Sequence, residues 1–243
     1  MTKKIMVGTV GYPIKKEQFL NDIDVLEMTE ARYIPPGKKA ARHIKQQLPP
    51  TVEPVVQISR YFFKAPQEKV SLKGDISAYG DFKVTSESMG LWKRQLDFAR
   101  ELGAGAQIII TPAAVTPSGR TVESMSAFFK EIDRGGLPVF WEPHGVWERS
   151  QMEKFAGDHN LLLAVDPLRD SVLDGDKAYF RFGAFASAGS RMGVYELEQI
   201  ALAVDECKAG TVYCIFETQR AVDDARNLKE MLLSGIDDNE FDY

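Results

Sequence analysis

Apolar and β-branched residues gather along the chain in eight short runs, at 4–9, 23–29, 54–59, 106–111, 137–142, 161–166, 178–183 and 211–217. Several, among them "AQIIIT" and "LLLAVD", are nearly continuous in apolar side chains. A sheet covered on one side only would alternate, so this pattern predicts parallel strands buried on both faces. Between most of the runs the spacing turns helical, over 38–47, 86–103, 121–133, 146–157, 195–210 and 220–235. Gly103 and Gly210 close two of these segments, as left-handed helix stops do. The alternation weakens twice, after the first run, where "KKEQFL" offers about one turn, and after the sixth, where 167–176 is short and acidic.

Eight strand–helix units in 243 residues predict a single (β/α)8 TIM barrel, with an open doubly wound sheet as runner-up. Its helix after strand six is expected to be short or missing. No linker, internal repeat or low-complexity tract divides the chain, so residues 1–235 are expected to form the barrel domain and 236–243 an acidic C-terminal tail. That tail, "IDDNEFDY", is either a solvated end or a docking peptide for a protein partner. Residues 60–84 form a loop after strand three longer than compact domains usually carry, hence a lid or a decoration.

Composition changes this picture little. Hydrophobic residues at 44% and charged ones at 27% suit a soluble globular protein, and no apolar run approaches the roughly 20 residues of a membrane span. The apolar run near the amino end reads as a strand rather than a cleavable signal, so a cytoplasmic protein with no membrane partner is expected. A net charge of −5 argues against indiscriminate polyanion binding and leaves room for a local basic patch. Cys207 and Cys214, in a predicted helix and the strand after it, read as buried thiols.

In a parallel barrel every strand ends at one rim, where the following loops build the site. Four runs end in or near a carboxylate: Glu27, Glu142, Asp166 and Glu217. A charge there is costly unless it is paired, solvated or bound to a cation. Two readings follow. Arg60 and Arg181 neutralise the carboxylates in a structural ring, or Glu27, Glu142 and Asp166 act as acids and bases, with Glu217 joining them as ligands of a divalent magnesium or manganese ion. Three histidines are too few for a multi-zinc cluster.

The fifth run leads into "WEPHGVW", where Pro143 ends the strand, Gly145 turns the chain and His144 is placed near Glu142 with the intrinsic pKa of a general base. Trp147 or Trp141 then walls the site, or both tryptophans pack between strand and helix and His144 braces the loop. Arg181 and Arg191, in the Gly- and Ser-rich "RFGAFASAGSRMG", suit phosphate binding or a plain flexible loop. Tyr33, Tyr61 and Phe62, interleaved with Arg32, Lys38, Lys39 and Arg60, offer rings and cations to a nucleic acid, or form a solvated helix face over a buried aromatic patch, and Tyr12 at the end of the first strand is a further ligand-binding candidate.

The landmarks "VGTVGYP", "VLEMTEARYIPP", "PVVQISRYF", "FWEPHGVW", Asp166, "YFRF" and "YCIFET" resemble, in that order and over nearly the whole chain, those of the YecE-like TIM barrels, the domain of unknown function 72 family. The resemblance implies a barrel, and the likeness of such barrels to endonuclease IV-like phosphodiesterases implies a nucleic-acid role. It carries over Gly8, Gly11, Glu27, Tyr33, Pro35, Arg60, Glu142, His144, Trp147, Asp166 and Arg181. The chain departs from the pattern at Gln57, at Trp141–His144, at Phe182-Gly183 and at Glu217-Thr218, which makes it a divergent relative. Three functions are therefore expected to compete. One is a barrel that binds, or with a divalent ion hydrolyses, a phosphorylated small molecule or nucleic acid. The second is a non-enzymatic nucleic-acid or protein binder, and the third a sugar or sugar-phosphate isomerase.

Overall fold

A computed structural model describes residues 3–67, 70–172, 175–183 and 192–234. Eight parallel strands close in chain order: β1 (Lys4–Val10), β2 (Val25–Met28), β3 (Glu53–Gln57), β4 (Ala106–Thr111), β5 (Val139–Pro143), β6 (Leu162–Val165), β7 (Lys177–Phe182) and β8 (Thr211–Phe216). The helices are α1 (Lys38–Gln47), α2 (Ser86–Leu102), α3 (Gly119–Glu131), α4 (Arg149–Asp158), α5 (Val194–Glu206) and α6 (Ala221–Ser234). Between β1 and β2 there is one 3₁₀ turn, Lys16–Gln18, and between β6 and β7 no helix among the described residues. This is a TIM barrel with the predicted thin places. No helix among the described residues is long and apolar enough to cross a membrane.

The chain packs as two compact units. One draws on the described residues up to Glu27, on Pro49–Glu53 and on the described residues from Ala164 onward. In it β8 is central, pairing with β7 from Lys177↔Thr211 to Phe182↔Phe216 and with β1 from Lys4↔Thr211 to Thr9↔Phe216. The other unit draws on Met28–Leu48 and Pro54–Leu163. Its aromatic core joins Phe62, Trp92, Phe128 and Phe82, with ring centroids 5.0–5.8 Å apart and mostly edge to face, the geometry that the ring quadrupole favours.

Local chemistry sets the helix ends. Thr85 and Ser88 form a reciprocal capping box at the start of α2, and Gly103, at φ 78°, turns the chain out of it. The helix expected over 146–157 begins only at Arg149, because Gly145 at φ 98° and buried Trp147 belong to the turn and Glu148 makes the capping box with Gln151. The segment expected to be helical to 210 stops at Glu206, after which the chain extends toward β8.

The long connection after β3 is ordered by backbone hydrogen bonds. Its 3₁₀ turn Arg60–Phe62 is bonded to the segment after a second turn, Ile76–Ala78: Gly80 N–H donates to Tyr61 O at 2.9 Å and Phe82 N–H to Phe62 O at 2.7 Å. Gly80, Asp81 and Phe82 all have positive φ, at 81°, 50° and 52°. Only glycine adopts this conformation freely, and each of the other two costs on the order of 1–3 kcal/mol. Buried Phe82 among aromatic rings offsets that strain.

Candidate functional site

In the first unit the chemistry collects on Glu27 and Arg181. Glu27 sits near the carboxyl end of β2 with no exposed surface. Tyr179 Oη donates to its Oε2 at 2.7 Å, and the Arg181 guanidinium grips it with Nε 3.1 Å from Oε2 and Nη2 3.2 Å from Oε1. Successive strand residues face opposite ways, so Tyr179 and Arg181 share one face of β7 while Phe180 and Phe182 take the other. Tyr179 was not among the expected site residues, although its spacing of two from Arg181 was the available signal.

Arg181 is itself only 3% exposed at its side chain, and its Nη2 also lies 2.8 Å from Oε2 of Glu217, whose side chain is 42% exposed. A buried guanidinium thus bridges one carboxylate fully out of water and one partly in it. Elsewhere in this unit, Tyr213 Oη donates to Glu53 Oε1 at 2.7 Å. Burial and that adjacent carboxylate push the phenol up, so it remains a donor. Asp166 is engaged locally, accepting from Leu168 N–H at 3.1 Å and lying 3.5 Å from Arg169 Nε. Tyr12 is half-buried, with Lys16 Nζ 4.3 Å from its ring centre.

In the second unit, Glu142 and His144 form the pair that the sequence suggested: Oε1 and Nε2 are 3.4 Å apart, both largely buried. His144 N–H donates to Thr111 O at 3.0 Å, which fixes the loop at the end of β5. The tryptophans beside the pair serve packing. Trp141 donates through Nε1 to Thr111 Oγ1 at 3.1 Å and meets Phe155 of α4 at 5.2 Å, so by strand alternation Glu142 faces the other way. Trp147 stands edge-on to Trp141 at 5.0 Å, is buried, and donates to Val115 O at 2.7 Å; its surface is covered by protein rather than offered as a wall.

Tyr33, Ser59, Arg60 and Tyr61 form a further cluster in this unit. Ser59 Oγ donates to Tyr33 O, the Arg60 guanidinium lies 5.3 Å from the Tyr33 ring centre, and Tyr61 meets Tyr33 edge-on at 6.0 Å. Tyr33 is exposed, while Tyr61 and Phe62 are buried beneath the loop. Lys38, one of the cations considered for a nucleic acid, lies 3.5 Å from Asp97 of α2, since the first turn of α1 stands beside that helix. Arg191 and the tail 236–243 lie outside the described residues.

The four carboxylates considered as metal ligands do not fit that role as a set. Each lies against a cation or imidazole, Glu27 and Glu217 sharing Arg181, Glu142 on His144 and Asp166 on Arg169. Among the described residues no group of three or more His, Cys, Asp or Glu side chains is placed to hold a metal ion.

Eight parallel strands closed in order, with paired charges at their carboxyl ends, define a (β/α)8 barrel. Its fold is similar to that of a DUF72 family protein from Enterococcus faecalis V583, with a TM-score of 0.72 and 16% identity over 96% of this chain and 99% of that one. A further crystal structure described as a DUF72 family protein from that organism gives 0.67 and 15%, covering 95% and 94%. A xylose isomerase domain containing protein from Salmonella typhimurium LT2 gives 0.58 and 13%, covering 95% and 97%. No family model matches the sequence, and no curated protein matches it. The family that the sequence landmarks resemble is thus also found among the solved structures that share this fold.

Proposed function

We propose that this protein is a cytoplasmic barrel that binds a phosphorylated ligand, a small molecule or a nucleic-acid phosphate, on the guanidinium of Arg181. The observation that supports it is the asymmetry of that arginine's two carboxylates. Glu27, fully buried, is a permanent counter-ion that orients the fork, whereas Glu217 is half exposed and can swing into water. A phosphate oxygen then takes the place of Glu217 Oε2 on Nη2, and the fixed planar fork favours an anion of phosphate geometry.

The test is a calorimetric titration of inorganic phosphate and of a short single-stranded oligonucleotide. Glu217→Gln removes the competing charge and is expected to raise phosphate affinity about threefold to tenfold, on the order of 1 kcal/mol, because a half-exposed charge is screened. The paired variant Glu27→Gln/Arg181→Met removes the site and is expected to abolish binding. Phosphate binding left unchanged by both variants overturns the reading. Binding of the oligonucleotide but not of free phosphate assigns the ligand to nucleic acid.

A second reading rests on Glu142 and His144. A carboxylate 3.4 Å from an imidazole at the end of a barrel strand is the arrangement of a general base and its orienting partner, and it supports hydrolysis of a phosphoester. Glu142→Gln keeps the shape and removes the charge. It is expected to lower hydrolysis of an aryl phosphate by about 10²–10⁴-fold while leaving phosphate binding intact. Wild-type protein that binds phosphate and turns over no ester restricts the barrel to binding.

A further inference from the structure

The long connection after β3 does more than cover the aromatic core. With the loop after β4 and the first turns of α3 it lines a cavity of about 350 Å³, open to solvent on one side, in the second unit. That volume lies at the lower end of the roughly 300–1,000 Å³ typical of small-molecule sites. Its apolar surface comes from Phe63, Phe82, Pro112 and Val115. Two charges of opposite sign line it, Arg120 and Asp81, with the Thr121 hydroxyl beside them. Among the described residues neither charged side chain is held in an ion pair, with the other or with anything else.

Opposite charges in one cavity attract, and their simplest resolution is a salt bridge. The backbone that carries Asp81 is fixed, because Asp81 and Phe82 are held at φ 50° and 52° by hydrogen bonds to Phe63 O and Phe62 O. Gly80 is held as tightly, since a Cβ there would lie 2.5 Å from Ala65 N. Backbone held in the left-handed region is found at ligand clamps as well as in packed turns, and Asp81 and Phe82 both line this cavity.

We infer that this cavity is a binding site for a small zwitterion with an apolar body, the chemistry of a hydrophobic α-amino acid. Arg120 takes its carboxylate, Asp81 its ammonium group, and Phe63, Phe82 and Val115 its side chain. A ligand of this kind satisfies both charges at once, which neither a simple anion nor a simple amine does. The site uses none of the residues assigned above to phosphate binding or hydrolysis.

The test is calorimetric titration of the full chain with L-phenylalanine, L-phenylalaninamide and N-acetyl-L-phenylalanine. The free amino acid is expected to bind about tenfold or more tightly than either blocked form, since each blocked form leaves one charge without its partner. Arg120→Met should weaken the amino acid about tenfold and abolish its advantage over the amide. Asp81→Asn, which keeps a residue tolerant of positive φ, should abolish its advantage over the N-acetyl form. Both side chains are exposed, so unfolding is not expected, and an unchanged thermal midpoint confirms it. No binding of L-phenylalanine at millimolar concentration overturns the inference. So does equal binding of the three compounds, or affinity unchanged in both variants.

Discussion

Arg181→Met is expected to destabilise the protein by about 3–5 kcal/mol, the cost of leaving a buried charge uncompensated. Glu27 has no exposed surface and cannot recover its hydration when the guanidinium is removed. For a chain of this size such a loss lowers the unfolding midpoint by roughly 6–20 °C. The diagnostic step is the paired substitution. Glu27→Gln/Arg181→Met replaces both charges by neutral groups of similar bulk, and Tyr179 Oη can still donate to the amide oxygen; most of the loss should be recovered. Urea or thermal unfolding followed by circular dichroism reads both. A single variant within two or three degrees of the wild type, roughly 1 kcal/mol, would mean that water reaches Glu27 and that the pair is not the anchor described above.

The pair also shows what a sequence can and cannot display. Apolar runs located all eight strands to within two residues at every end, because burial on both faces leaves a composition signal that does not depend on register. Which side chains meet is a different matter. Glu27 and Arg181 are 154 residues apart, and their contact depends on strand parity, which a continuous apolar run hides. In β5 the same ambiguity allowed Trp141 or Glu142 to face the helices, and the contact of Trp141 with Phe155 resolves it. The acid–imidazole pair was legible because its members are two residues apart at the end of a strand, where the turn at Gly145 follows directly.

The loop after β3 marks the opposite limit. Its length set it apart as a lid or a decoration, and the backbone conformation inside it did not show. Phe82 gives no sign of a positive φ, and Asp81, though of a type that tolerates one, does not demand it. Nor could spacing reveal that Asp81 lines the same cavity as Arg120, 39 residues later in the chain, since that depends on where two connections come together. Charges close to their strand are readable in the sequence, and charges brought together by long connections are not.

Gly8→Ala is expected to have the larger effect of the two, a loss of at least about 4 kcal/mol, at the edge of what single substitutions produce. Gly8 lies within β1, paired with Val25 of β2, and a Cβ built on it would lie 1.7 Å from the Val25 carbonyl oxygen and 2.7 Å from its carbon. These are backbone atoms of a neighbouring strand, so no rotamer change relieves the clash and the strands must separate. Separation would break the register Gly8↔Val25 to Val10↔Glu27, together with the bond from Gly11 N–H to Glu27 O at 2.8 Å, and so move the carboxylate that anchors Arg181. The control is Gly90→Ala on α2, where a Cβ meets nothing within 4 Å. There the substitution should stabilise by about 0.5–1 kcal/mol, the helix preference of alanine over glycine. Soluble yield and unfolding midpoints of the two variants decide the matter. A Gly8→Ala protein that folds with a midpoint near that of Gly90→Ala would show that β1 and β2 stand farther apart than described and that the position of Glu27 does not depend on their close approach.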